Sequence, residues 1–545
     1  YLSRGPVLDN VAGPKKAAGE DEEFGLRLTT LIERGGASLT VRGHYETDTG
    51  INPTPRNSAL AIGKHEVATE GDGQQDTDNS FYGVSASLEA SVGPWALVSL
   101  TAFEGYRQNY GFDFDGTPAP FGNASLNANL SYRRKFAQLS QELRLQRSWE
   151  SGNVLFGANV TNDDFTQRYT IWCGTLDPVT LVGSCNYVGA PGRVGPAPAS
   201  TARASTLVTD IEQDRTALAA FGYGEIGLAP GLSLSVGARL TRETIDGQGQ
   251  GIHVFADGVR DFNNRGGIGP AIGRNTIRTT RLTGNASLGY DSGDGLLYAA
   301  IANGYKSGGF NGEIANNASH YADEGLFAAE DVTAIELGYK HDRSGSLSFS
   351  AAAFYQFYSR PQARIFVEFA LPDGSRIVSN SLSNLDRARS YGAEVQASWK
   401  AGRGLVFDIG AVWNQTRIRQ KSDIGGNAAL FDGNPLPFAP RLAVTLAGRY
   451  ETALTQTLTL RLGGQGKFRS RHFLDAEGLS ARSQPAVLTL ASHASLVFPD
   501  RGLEIGVWVR NLTNVDYAQS GYGFLGYNTF RSEPRTVGVV FSKSF

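Results

Sequence analysis

Residues 501–511 read RGLEIGVWVRN, and the pattern of this stretch decides the fold. Leu503, Ile505, Val507 and Val509 alternate with Glu504, Gly506, Trp508 and Arg510. Successive side chains of a strand point to opposite faces, so one face of this segment meets an apolar medium and the other carries small, polar or charged groups. TLTLRLGG (457–464) repeats the pattern through Leu458, Leu460 and Leu462. So do GLVFDIGAVWN (404–414), through Leu405, Phe407, Ile409 and Trp413, and LSLSVGARLTRE (232–243), through Leu232, Leu234, Val236, Ala238 and Leu240. Alternation of this kind fits a soluble sandwich as well as a membrane barrel.

Connection lengths separate the two. Tight turns fall at ERGG, VGP, ESGN, APG, DSGDG, DRSG, AGRG, ETALTQ and PDRG. Between them, alternately, come long polar loops at 49–78, 111–130, 173–212, 247–276, 309–330, 361–384, 418–437, 470–483 and 515–532. Short turns on one side and long loops on the other mark an outer-membrane barrel, with the short turns periplasmic and the long loops extracellular. Composition agrees: 67 glycines among 545 residues lie well above the usual share of about 7%. The net charge of −3 offers neither a nucleic-acid footprint nor an acidic tail. No run of apolar residues is long enough for a transmembrane helix, which leaves a barrel open because its strands hide their apolar half by alternation.

About nineteen strands can be read within residues 23–545, whereas 1–22 lack clear alternation and have no assigned role beyond that of a loop following further strands. A bacterial single-chain barrel with both ends on the short-turn side has an even number, so an odd count predicts either absent strands or one miscounted. Three more would make about twenty-two, the size of plugged outer-membrane transporters. In TVGVVFSKSF (536–545), Val537, Val539, Phe541 and Phe545 share one face. This last strand is expected to pair with the first, because unpaired backbone groups in lipid cost several kcal/mol each.

NLTNVDY (511–517) followed by EPRTVGVVFSKSF (533–545) resembles the C-terminal signature of the TonB-dependent outer-membrane receptors of Gram-negative bacteria. NGYKSGGFNG (303–312), AIELGYKHD (334–342), RSYGAEVQASW (389–399) and SQELRLQ (140–146) resemble internal motifs of that family, in order. The resemblance implies an all-β, antiparallel up-and-down transmembrane barrel in the outer membrane. It also implies that Phe541 and Phe545 are read by the barrel-assembly machinery, and that a scarce nutrient is imported. A ferric siderophore is the default cargo, with haem, cobalamin and plant-derived sugars or aromatics left open. The family's energising partner is the TonB–ExbB–ExbD complex, reached through an N-terminal plug. Neither a plug-like stretch nor a TonB-contacting segment is found in residues 1–80. A passive or plugless channel and an outer-membrane hydrolase are the rival expectations. No nucleophile–base pairing supports the second, so the chain is expected not to be an enzyme and to carry no cofactor, any iron arriving with the ligand.

Ligand contacts are expected from loop aromatics and acids at the long-loop ends: Tyr106, Tyr110, Phe112, Asp113, Asp115, Tyr305, Phe310, Tyr321, Tyr522, Phe524 and Tyr527. Asp113 and Asp115 alternate with aromatics and glycine in NYGFDFDGTP (109–118) as in calcium loops, but the full twelve-residue pattern is absent. Arg239, Arg461 and Arg510 either attract an anionic ligand or serve as paired wall charges. Cys173 and Cys185, in a turn-rich polar stretch, are expected to form a disulfide, with two loop thiols as the alternative. The seven histidines show no metal-ligand spacing, and no metal site is expected.

Overall fold

The computed structural model of the chain describes residues 2–12, 17–69, 76–118, 129–172, 176–177, 179–182, 193–194, 204–255, 257–261, 273–311, 326–341, 345–370, 376–422, 424, 428–523 and 527–544. Nineteen long strands build one antiparallel wall. They are β1 (Asp21–Arg34), β2 (Ala37–Ile51), β3 (Asp76–Val92), β4 (Trp95–Asp113), β5 (Asn129–Trp149), β6 (Gly152–Trp172) and β7 (Ala204–Ala229). There follow β8 (Leu232–Phe255), β9 (Gly273–Asp291), β10 (Leu296–Lys306), β11 (Glu330–His341), β12 (Leu347–Ser359) and β13 (Arg387–Gly402). The last six are β14 (Leu405–Arg419), β15 (Leu442–Thr455), β16 (Leu458–Arg469), β17 (Val487–Phe498), β18 (Leu503–Arg510) and β19 (Thr536–Lys543). Two short strands, Leu2–Arg4 beside β1 and Arg260–Asp261 beside β8, bring the sheet to 21.

Each wall strand pairs with its neighbours in sequence, and the registers carry the alternation from strand to strand. Ile409 lies opposite Leu446 and Ala397, and Ile505 opposite Leu496 and Phe541. These apolar residues are exposed: Leu282 keeps 68% of its surface, Leu337 57%, Val507 54% and Leu446 53%. Leucines and valines in an unbroken exposed band contradict burial against a second sheet and fit a wall facing lipid. The fully buried apolar side chains lie elsewhere. Trp172, Phe431, Leu130, Ile171, Leu207, Ile365, Leu385, Ile418 and Val67 all sit at the long-loop ends or in the loops.

Two expectations change. The closing strand β19 pairs with β18 alone, and among the described residues no register joins it to β1. The two run the same way, so no antiparallel ladder can join them. The loop boundaries also move. β7 begins at Ala204 and β8 ends at Phe255, inside segments expected to be loop, and Gln362–Ala370 pairs antiparallel with Arg376–Asn384. Above the membrane both faces of a strand can be covered, so alternation no longer marks it. Val208, Ile252 and Val254 are buried together under Leu181.

Candidate functional site

The long-loop end of the wall carries a packed layer, and its centre is aromatic. β4 runs on past the wall as Tyr110 and Phe112, with Phe114 just beyond its end, and β5, β6 and β7 supply Leu130, Tyr169, Ile171 and Leu207. The last long loop covers them with Tyr522 and Phe530. Phe112 meets Phe530 edge-on at 5.7 Å, and Phe114 stacks on Tyr522 with ring centroids 5.2 Å apart. The Tyr522 hydroxyl donates to the Phe114 carbonyl at 2.6 Å. Burial, aided by the negative charges of Asp113 and Asp115, pushes the Tyr522 hydroxyl well above the ordinary tyrosine range, so it stays a donor.

Asp113 and Asp115 are buried turn-formers in this arrangement. One Asp113 oxygen accepts the Gly116 amide at 2.7 Å and the other the Thr69 hydroxyl. Asp115 accepts the Thr117 amide at 2.9 Å. Gly116 adopts φ +63°, and a Cβ there would come within 2.7 Å of the Pro55 carbonyl, so glycine is required. The acids spend their oxygens on local backbone and hydroxyl donors, as Asp does in turns.

An ionic latch ties the first described loop of the layer to the last. Arg56 and Asn57 form a two-residue strand against Thr529 and Asn528. The Ser58 amide donates to the Tyr527 carbonyl at 2.9 Å, and Asn57 Nδ2 to the Asp115 carbonyl at 2.9 Å. Asp516, whose side chain is 6% exposed, accepts from Arg56 Nη1 at 3.0 Å and Arg531 Nε at 2.8 Å. Burial alone would raise the Asp516 carboxyl, but the two guanidinium groups outweigh it and hold it below the usual carboxylate range. Beside this latch, Arg482 bridges Asp475 and Glu477 and lies 5.4 Å over the Tyr527 ring. Burial lifts both carboxyls above their ordinary range, against the pull of Arg482.

The structure thus brings Tyr110, Phe112, Asp113, Asp115 and Tyr522 into one cluster, and buries Tyr527 in another with Leu474 and Ala518. The rings pack on each other and the Asp oxygens on turn amides and the Thr69 hydroxyl, so in this conformation the buried members offer little face to an incoming ligand. Tyr106 is half-buried lower on β4, stacked on Phe136 at 5.3 Å. Tyr305 is half-buried in β10, and Phe310 is buried where Gly247 leaves room for its ring; a Cβ at 247 would lie 2.5 Å from it. Tyr321, Phe524, Phe545 and both cysteines, Cys173 and Cys185, lie outside the described residues, while Phe541 is exposed in β19. Sequence reading missed Arg56, Asp516, Arg531, Asp475, Glu477 and Arg482. Asp516 stood inside the quoted NLTNVDY motif, the one signal available.

Inside the wall Arg239, Arg461 and Arg510 have partners. Arg461 bridges Glu451 at 2.8 Å and Glu504 at 3.3 Å. Arg239 donates to Asn159 at 2.8 Å and covers Phe221, and Arg510 lies 5.0 Å over Trp508. Arg215 joins Asp163 and Glu243. These are wall charges bound to wall partners. Among the described residues no group of three or more His, Cys, Asp or Glu is placed to hold a metal ion.

A one-chain wall with an apolar outside, a charged inside and a loop layer across one end defines an outer-membrane receptor barrel. The family model for the TonB-dependent receptor-like β-barrel matches residues 27–512, and the chain belongs to that family. Its place is the outer membrane of a Gram-negative bacterium. The pesticin receptor of Yersinia pestis is 29% identical over 254 residues, which cover 44% of this chain and 32% of the relative. The alignment therefore spans about a third of the length of the curated relatives it matches. The solved ferric yersiniabactin uptake receptor of Yersinia pestis superposes with a TM-score of 0.76 at 18% identity, covering 98% of this chain and 73% of that one. The siderophore receptor of Acinetobacter baumannii gives 0.71 at 13% identity, covering 99% and 75%. The family and these structures are transport receptors.

Proposed function

We propose that the chain forms the wall and outer loops of a receptor that captures a ferric siderophore and passes it inward under the drive of the TonB complex. The supporting observation is the family match across nearly the whole chain, joined to relatives named for ferric siderophore uptake. In this reading the loop layer is the closed outer gate. The aromatic cluster and the two ionic groups hold it shut, and ligand binding exchanges their mutual contacts for contacts with the ligand. No covalent chemistry is asked of the wall, and the iron is cargo.

The test is uptake of radiolabelled iron, carried by a panel of catecholate, phenolate and hydroxamate siderophores, in cells with the gene deleted and restored. Restored uptake of at least one complex, lost when TonB is absent, is the expected result. Uptake or ion conductance that persists without TonB would favour a passive channel instead, and no difference between deleted and restored cells would end the siderophore reading.

A further inference from the structure

The outward face of the wall carries cations that neither the loop layer nor the lumen uses. On β5 the exposed outward residues include Leu143 and Leu139, the latter directly opposite Phe103 of β4. Continuing upward with the same parity come Ala137, Lys135 and Arg133. Lys135 lies directly opposite Arg107 of β4, and Arg133 directly opposite Arg168 of β6. Side chains so paired have Cβ atoms about 5 Å apart, and like charges in that position repel. Arg168 is neutralised, with two hydrogen bonds to Asp210 at 2.7 and 2.8 Å. Arg107, Arg133 and Lys135 are exposed and form no ion pair with any described residue. Asp78 and Asp164 stand diagonally across from Arg107 and Lys135, yet neither closes a contact with them.

The height of this trio identifies what it meets. From Trp149, at the short-turn end of β5, to Leu139 is ten residues, about 33 Å along the strand and, at a tilt of about 40°, about 25 Å along the membrane normal. That is the height of the apolar band of an outer-membrane barrel. Lys135 is four residues further, about 10 Å above the band's upper edge, within side-chain reach of the lipid headgroups. Three cations without an ion pair among the described residues, on a lipid-facing wall at headgroup level, call for an anion. Arg offers a fork that binds two phosphate oxygens together, and Lys adds a point charge.

We infer that Arg107, Arg133 and Lys135 form a binding site for the phosphate-bearing headgroup of an outer-leaflet lipid. The flanking Asp78 and Asp164 then face the hydroxyl or amine groups of the same headgroup. The lipid replaces cation–cation repulsion across β4 and β5 with phosphate contacts, and so braces the strands that carry Phe112 and Leu130 into the loop layer.

The experiment uses the folded chain in detergent, with native mass spectrometry of complexes formed with bis-phosphorylated lipid A and with its dephosphorylated form. Wild-type protein is expected to retain the phosphorylated lipid, and the triple variant R107Q/R133Q/K135Q to bind it at least about tenfold more weakly. The lumen-side control Arg449→Gln should bind as wild type. All three positions are exposed, and an unchanged heat-dependent gel shift confirms that each variant is folded. Equal binding by the triple variant, or equal retention of the dephosphorylated lipid, overturns the inference. Binding of inorganic phosphate alone as tightly as the lipid would also overturn it, by showing a site for the free ion.

Discussion

Replacing Asp516 with alanine tests the latch most sharply, because one small carboxylate there answers two buried guanidinium groups. Its side chain is 6% exposed, those of Arg56 and Arg531 15% and 16%. Removing one member of a buried ionic group costs roughly 3–5 kcal/mol, since the charges left behind keep their desolvation penalty. The slight exposure of both arginines argues for the lower end, about 3 kcal/mol, which raises the open fraction of the loop layer roughly a hundredfold. The cost is local, because the latch joins loops rather than wall strands. Hydrogen exchange reads it directly. The Ser58 amide, bonded to the Tyr527 carbonyl, should exchange about two orders of magnitude faster in Asp516→Ala. The Gly227 amide, bonded to the Ser151 carbonyl at the opposite end of the wall, should not change. The charge-free triple variant Arg56→Met, Asp516→Leu, Arg531→Met should recover much of the protection, because no buried charge is then stranded. Unchanged Ser58 exchange in Asp516→Ala would refute the reasoning. So would a triple variant as loose as the single one, which would assign the effect to lost shape.

Three further outcomes follow from charge and exposure. Burial raises the folded-state values of Asp475 and Glu477, so the folded loop holds protons that the unfolded loop has released, and its stability is lost as pH rises through those raised values. The Leu474 amide, bonded to the Arg482 carbonyl, should therefore gain protection, beyond the intrinsic rate change, as pH is lowered from neutral towards the ordinary carboxylate range. Asp516 has the opposite sign: its folded value is depressed, so the Ser58 amide should hold its protection over the same window and lose it only below the ordinary carboxylate range. On the wall, Ile301 is 48% exposed, opposite Ala286 and Ile335, five residues above the start of β10 and so near mid-membrane. Ile301→Arg should destabilise the inserted barrel by about 2–4 kcal/mol in denaturant titration in lipid vesicles, whereas the same change at lumen-facing Gln396 should cost far less.

The wall was legible because lipid on one side and water on the other impose period two on every residue between them. GLVFDIGAVWN and RGLEIGVWVRN announce β14 and β18 without help from the rest of the chain. The nineteen strands read from that pattern are the nineteen long strands of the wall. Legibility stopped where the lipid stops. The strand of Arg56 and Asn57 is two residues long and pairs with a partner more than 460 positions away, so no local pattern could announce it. Asp113 and Asp115 looked like ligand groups because acids among aromatics are unusual; tertiary packing gave them turn amides to hold instead. That β1 and β19 run the same way follows from the count of strands between them, which no single strand carries.

The assignment of faces is tested most directly by single cysteines placed at Ile335, Leu446, Gln396 and Gln465, in a background with Cys173 and Cys185 changed to serine, each labelled with a fluorophore in lipid vesicles. The account predicts that a lipid-dissolved quencher extinguishes labels at 335 and 446 while aqueous iodide reaches those at 396 and 465. Iodide reaching all four, or the lipid quencher none, would contradict a wall with lipid outside and water within.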